Sequence, residues 1–358
     1  MRMAWQRRLP LASASVTALL LAAACGSSGP TSNNNASSKP QTQQELLAAA
    51  NREGTVVWYT TFSSSDVAPM IAAFNKVYPK VKVQALRLSA DQLPARVITE
   101  QRAGKYNADV VSGDTVYVSE LIYANALAPY KAPDEAAFPA GLKLPTGYPG
   151  VVYVNTTVIA YNPAALKAHH IPVPKTFQDL TKPQWKGNFS IDSGAVNLYQ
   201  ALISSMGHTK ALALIKALGN NSPRLAASHT LALTQVQSGE PMATATAYGY
   251  LAARLKKKTP GQIAFVNTNP LPTSLTLIDL AKNAPHPNAA RLFIDWMESK
   301  TGQAAIVDVT KHLSLRNDVG NNPTVWNPGT WPPTWVGALP SAEYNTDASE
   351  YTQALHAS

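Results

Sequence analysis

From Glu45 onward, short apolar strands and amphipathic helices alternate without a break, and that rhythm leaves few folds open. Glu45–Glu53 carries Leu46, Leu47 and a run of alanines and is stopped by Gly54, which predicts a short helix. Thr55-Val56-Val57-Trp58-Tyr59 has the β-branched and aromatic content of a strand. The turn Thr60–Asp66 is rich in hydroxyl side chains. Beyond it, Val67, Met70, Ile71, Phe74 and Val77 recur at helical spacing. Lys82–Leu86 reads as a second strand, and Asp91–Ala103 as a helix closed by Gly104. Ala108–Val111 reads as a third strand, turning through Ser112-Gly113-Asp114 into a helix that runs to about Asn125. Strands separated by helices and short turns predict a parallel, doubly wound sheet.

The same exchange resumes farther on. Val151–Val154 and Thr157–Tyr161 are extended, and Phe189–Asp192 is a strand with Ser193-Gly194 opening the next helix. Met242–Ala247 runs into Tyr248-Gly249-Tyr250 and another helix. After Pro270-Leu271-Pro272 come a strand over Ser274–Leu280 and a helix from about Asn288 to Ser299. The chain has 358 residues, about two domains' worth at roughly 150 residues each. The expected architecture is α/β: two doubly wound lobes joined by a hinge. Lobe 1 takes residues 44–150 and 273–358, and lobe 2 takes 151–272. The hinge is expected in the extended crossovers near Gly150–Asn155 and Phe265–Pro272. The tail after Asn317, with Trp326, Trp331 and Trp335 among prolines, is expected to wrap a lobe surface.

The chain has one cysteine, which excludes internal disulfides and cysteine-built metal sites in the monomer. Arg2, Arg7 and Arg8 precede an apolar stretch over Leu11–Ala24, too short to span a bilayer core of about 30 Å and shaped like a secretory signal. The stretch ends in Leu21-Ala22-Ala23-Ala24-Cys25-Gly26-Ser27, which resembles a bacterial lipoprotein box with Ala22 where Leu is usual. That resemblance implies a signal peptide over residues 1–24 and a lipidated Cys25, anchored to the cell membrane on its extracytoplasmic side. Residues 25–43 form a Ser/Asn/Pro-rich tether that buries too little to order itself. The signal holds three arginines and no acid, so the formal charge of +9 falls to +6 in the mature chain. Lys256-Lys257-Lys258 is the one dense basic run. It suits the end of a helix better than a nucleic-acid surface, so no nucleic acid is expected.

Several stretches together resemble the extracellular solute-binding proteins of ABC importers, in the type II periplasmic-binding-protein group that takes ferric iron, phosphonates and thiamine. Glu53–Thr60 is similar to that family's first strand, and Ala108–Asp114 to the turn after its third. Val158–Pro163, Phe177–Leu180 and Trp185-Lys186-Gly187 resemble the entry to its second lobe. Gln237–Glu240 is similar to the segment before its later strand, and Pro287–Ala290 with Leu292–Trp296 and Thr301-Gly302-Gln303 resemble its closing helix. The resemblance covers about residues 45–320. It implies a monomer that captures a small molecule or ion between two lobes and delivers it to a membrane permease and its ATPase, without a cofactor.

In open α/β sheets ligands lie beyond the carboxyl ends of strands, against helix N-termini. The candidate binding residues are therefore Thr60, Thr61, Ser63, Ser64, Ser112, Asp114, Ser193, Gly194, Ser228, Tyr248 and Tyr250. Hydroxyls and free N–H groups at helix starts make an anion site without lysine. The bland alternative is that each Ser or Thr merely caps its own helix. A phosphonate or phosphate ester suits the hydroxyl-rich first turn. The alternative is ferric iron with a synergistic anion, for which Tyr248 and Tyr250 would supply phenolates. The family's iron binders carry adjacent tyrosines, whereas Gly249 separates these two. His169-His170 is read as surface loop, and Asp192 and His229 lack metal spacing. No nucleophile elbow, zinc-protease helix or phosphate loop is present, so an enzyme is not expected.

Overall fold

The computed structural model describes residues 41–89, 92–139, 150–320, 334–335 and 341–357. Cys25, the signal stretch, the tether as far as residue 40, Trp326 and Trp331 lie outside the described residues; residues 42 and 43, assigned to the tether, already open the first helix. Helix α1 (Gln43–Glu53) starts at a capping box, with Thr42 accepting from the Glu45 amide and Glu45 reaching back to Thr42. It ends at Gly54, which has φ 69°, where a Cβ would be strained. Strand β1 (Thr55–Thr60), helix α2 (Ser64–Val77), β2 (Lys82–Arg87), α3 (Gln92–Arg102), β3 (Val110–Asp114) and α4 (Thr115–Tyr123) then follow in the expected order. Strand β3 extends through Ser112–Asp114, which reads in the sequence as a turn.

After the short β4 (Leu127–Ala128) comes β5 (Gly150–Tyr161), one uninterrupted strand where two extended pieces were expected. The second lobe holds α5 (Pro163–Ala168), β6 (Phe189–Asp192), α6 (Val196–Met206), α7 (His208–Asn220), β7 (Arg224–Ala226), α8 (His229–Ser238), β8 (Ala243–Tyr248), α9 (Gly249–Lys258) and β9 (Ala264–Val266). The chain returns through β10 (Pro272–Ala281), α10 (Pro287–Glu298) and α11 (Lys300–Ala305), followed by a π-helical turn over Ile306–Thr310. β11 (Thr334–Trp335) and α12 (Ser341–Ala354) close it. Gln41–Ser358 forms one compact unit.

Among the described residues the strand order is β2-β1-β3-β10-β5-β8-β6-β7. The outer pairs β1–β2, β1–β3, β6–β8 and β6–β7 are parallel, as expected of doubly wound lobes. The two central strands are antiparallel to their neighbours: β10 to β3 and β5, and β5 to β8. The lower half of β5 pairs with β10 and its upper half with β8 and β9, so this single strand belongs to both lobes. It is the crossover the hinge reading asks for.

Each lobe has its own core. In the first, Trp58, Phe74, Phe293 and Trp296 pack edge to face or tilted, with centroids 5.0 to 5.3 Å apart between neighbours. In the second, Trp185, Phe189, Tyr199 and Leu218 lie buried with Tyr351, Ala354 and Leu355 of the C-terminal segment. This divides the tail differently from the 273–358 block assigned to lobe 1. Helix α12 joins the second lobe because its apolar residues fill the groove between α6 and α7. Tyr199 donates to Glu350 at 2.7 Å and Gln200 to Asp347 at 3.1 Å. Gly219 permits this approach, since a Cβ there would lie 2.1 Å from the Ala354 carbonyl oxygen.

Candidate functional site

The site follows from where the strands end. β1 and β3 are adjacent and parallel, so Thr60 and Ser112 come side by side. Their side chains point into the lobe. Thr60 Oγ1 and Ser112 Oγ are 2.8 Å apart, the Trp58 indole donates to Ser112 at 2.9 Å, and the Phe62 amide donates to Thr60 at 3.1 Å. Both residues are fully buried. The expectation that they contact ligand is corrected: they brace the strand ends. The next residues face outward. Thr61, Ser63, Ser64 and Ser65 line a cavity of about 720 Å³. Ser63 stands at the N-cap of α2 but makes no capping bond. Its hydroxyl lies 2.9 Å from that of Ser65, which donates to Asp66 at 3.0 Å. Arg87, at the end of β2, and Asp114, at the end of β3, line the same space. Asp114 precedes α4 without a side-chain capping bond, and burial pushes its carboxyl up to about 6, with the nearby Ser274 hydroxyl the main opposing influence.

The second lobe supplies the opposite wall. Asp192 ends β6. One of its carboxylate oxygens accepts from the Gly194 amide at 2.8 Å, and the other lies 2.5 Å from His229 Nδ1. Thr246 accepts from the Asp192 amide at 2.8 Å and Tyr351 donates to its backbone carbonyl at 2.8 Å, which fixes the backbone from which the carboxylate projects. His229 opens α8, which Ser228 does cap by accepting from Leu231 at 3.1 Å. Ser193 does not reach the cavity: its hydroxyl turns to the Ala226 carbonyl at 3.4 Å, satisfying the adjacent strand instead of a ligand. Gly194 and Ser228 do line it.

Tyr248 and Tyr250 stand at the β8–α9 junction and both face the cavity. Their rings belong to a continuous column. His229 stacks on Tyr248 at 4.2 Å, Tyr248 and Tyr250 are 5.9 Å apart, and His312 lies 3.7 Å from Tyr250 and 3.8 Å from Tyr153. Burial raises Tyr248 well above the ordinary phenol range, pushes Tyr250 up to about 12 and drives His312 down to about 3. Both phenols are therefore protonated at neutral pH, able to donate as well as accept. Across the cavity, Arg254 of α9 pairs with Asp66 of α2 at 3.5 Å, linking the two lobes.

The strand-end rule thus brings together Thr61, Ser63, Ser64, Asp114, Gly194, Ser228, Tyr248 and Tyr250. It overlooked Arg87, although that residue also ends a strand. Asp192 ends β6 and His229 opens α8, but their pairing is a tertiary fact that no local signal gives. Asn155, Arg254 and His312 lie inside longer elements or irregular chain and gave no local signal. Among the described residues no three His, Cys, Asp or Glu side chains converge on a metal position.

Comparisons with known proteins bear on this geometry. The sequence profile of the family described as bacterial extracellular solute-binding protein matches residues 69–333. Iron uptake protein A1 of Synechocystis sp. is 26% identical over 255 residues, covering 64% of this chain and 69% of that protein. The phosphoglycerate transport regulatory protein PgtC of Salmonella typhimurium is 24% identical over 259 residues, covering 71% of this chain and 64% of that one. The periplasmic binding protein AfuA from Actinobacillus pleuropneumoniae, solved with exogenous fructose-6-phosphate bound, superposes with a TM-score of 0.69 at 19% identity over 85% of this chain and 97% of its own.

Proposed function

The chain belongs to the bacterial extracellular solute-binding proteins, and on that premise we propose that its cleft captures a small phosphorylated or phosphonate-bearing solute for an ABC permease. The observation that carries this reading is the joint presence of Ser63, Ser64 and Ser65 at the start of α2 with Arg87 and Arg254 in one cavity. A helix N-terminus favours negative charge, and hydroxyls with guanidinium forks match a tetrahedral oxyanion. The bound names of the relatives support the same class, since one concerns phosphoglycerate transport and another holds a sugar phosphate.

Capture works by closure. Lobe 1 offers the serines and Arg87, lobe 2 offers Arg254 and Tyr248, and β5 with β10 carries the bend. An anion touching both walls stabilises the closed form by its differential affinity for it. Nothing is consumed; the closed protein docks on the permease, whose ATPase drives transfer. Lipidated Cys25 and the tether that follows it would keep the lobes near that permease.

Ferric iron is a second reading, because Tyr248 and Tyr250 both face the cavity and one relative is an iron uptake protein. Bound iron would have to displace two phenol protons held firmly by burial. Native mass spectrometry of the protein purified from its own host separates the two. A retained phosphorus-bearing molecule is expected. Retained iron, with a visible phenolate band lost in Tyr248→Phe, would overturn the oxyanion reading.

A further inference from the structure

The cavity is far larger than an oxyanion requires. At about 30 Å³ per water, its volume of about 720 Å³ takes on the order of twenty waters. Its floor is formed by three neighbouring strands. Asp114 on β3 pairs with Thr276 on β10, which pairs with Tyr153 on β5. Two residues along, Ser274 pairs with Asn155. Side chains two apart on one strand, and those directly opposite across strands, share a face. Asp114, Thr276, Tyr153 and Asn155 therefore form one polar band, and all four line the cavity.

Two enclosed atoms of cavity-lining residues have no hydrogen-bond partner among the described residues: Asn155 Oδ1 on this floor and His229 Nε2 on the second-lobe wall beside it. Their residues are only 8% and 7% exposed, and both border the cavity. When the His229 ring is neutral with Nδ1–H donated to Asp192, its outer nitrogen is an acceptor. Asp114 adds carboxylate oxygens. A buried polar atom left unpaired costs about 1–3 kcal/mol, so such atoms point to a partner that arrives. Resting on the oxyanion reading above, we infer that the hinge floor is a second subsite for a polyhydroxylated body. The solute is then a phosphate or phosphonate carrying several hydroxyls, with its charged head at the α2 serines and its hydroxyls on Asp114, Asn155 and His229. Hydroxyls fit better than an ammonium group. A ligand hydroxyl can donate to the acceptors and either accept from or donate to the Tyr153, Tyr250 and Thr276 hydroxyls, whereas an ammonium can only donate. Asp114 comes from lobe 1, His229 from lobe 2 and Asn155 from the strand between them, so a hydroxylated body would draw the lobes together.

A site built to hydrogen-bond ligand hydroxyls rejects analogues that lack them, because its own groups are then left unpaired. The test is isothermal titration of the full mature chain with inorganic phosphate, methyl phosphate, glycerol 3-phosphate, 3-phosphoglycerate, fructose 6-phosphate and 2-aminoethyl phosphate. The tightest hydroxylated ester is expected to bind at least a hundredfold better than methyl phosphate. Asn155→Leu should erase tenfold or more of that advantage and leave methyl phosphate within about twofold. Equal affinity for methyl phosphate and every hydroxylated ester would overturn the inference and leave the oxyanion reading standing. Preference for the aminoethyl ester would overturn it in favour of an ammonium subsite. If no phosphate compound binds, the oxyanion reading itself fails and this inference with it.

Discussion

The two ends of the cleft meet their hydrogen-bonding needs in opposite ways. At the α2 end, the Ser63 and Ser65 hydroxyls bond to each other and Ser65 donates to Asp66 Oδ1, so that among these groups only Asp66 Oδ2 stays buried without a partner. Hydroxyls both donate and accept, so they can turn toward an arriving anion with little rearrangement. At the hinge floor and the second-lobe wall beside it, Asn155 Oδ1 and His229 Nε2 are held in place with nothing to bond. The serine end recognises charge and tolerates many shapes. The floor recognises a pattern of donors. The contrast teaches that affinity and selectivity are located in different elements, α2 and the β3–β10–β5 floor.

The largest expected effect breaks the charged end. Replacing Arg87 and Arg254 together by alanine removes two hydrogen bonds to an anion, each contributing about 1.5–3 kcal/mol. Phosphate-ester affinity should fall on the order of a hundredfold to ten-thousandfold, read by titration calorimetry. An unchanged affinity would show that Arg254 serves only its pair with Asp66 and Arg87 only the Phe62 carbonyl.

The aromatic wall between the two ends answers to pH. His312 is buried and held neutral, with its pKa down at about 3. As pH falls from 6.5 toward 3, the unfolded chain takes up a proton that the native His312 refuses. Stability is therefore lost at about 1.4 kcal/mol per pH unit across that window. Burial of Asp114 and Asp295, both raised to about 6, works in the opposite direction, as the native protein holds those protons first. Urea denaturation of wild type and His312→Gln at pH 6, 5 and 4 isolates the histidine, since the carboxyls are common to both. The variant should lose less stability per pH unit by about one proton's worth.

Two serines at helix starts sharpen the contrast at smaller scale. Ser63→Ala should weaken a phosphate ester about tenfold and barely move the thermal midpoint, because Ser63 makes no capping bond. Ser228→Ala should do the reverse: about 1 kcal/mol of stability lost with its α8 cap, and affinity nearly intact. If Ser63→Ala proves the more destabilising, that serine is a cap and the charge-reading role of this end is lost.

Much of the scaffold was legible because strand and helix periods are strong local signals. β6 at Phe189–Asp192 and β10 around Ser274–Leu280 fall where the sequence puts them. The site was legible only as far as strand ends reveal it. Thr60 and Ser112 sit at the right ends, but alternation along the strand turns their side chains inward. Their neighbours Thr61 and Ser63 were found by the same rule and do face the cavity. Asn155 lies within the long run of β5, where nothing local distinguishes it, and becomes special only through its pairing beside β10. The docking of α12 on the second lobe depends on Gly219 and the α6–α7 groove, a relation between segments more than a hundred residues apart.

The most direct test of the oxyanion claim compares an ester with its uncharged parent. Thermal midpoints of the mature chain should be measured against rising fructose 6-phosphate, fructose and ferric citrate. A ligand at a hundred times its Kd adds about 2.7 kcal/mol, so the ester should raise the midpoint by several degrees in a concentration-dependent way, and fructose should not. A midpoint that climbs with ferric citrate and ignores the ester would contradict the account.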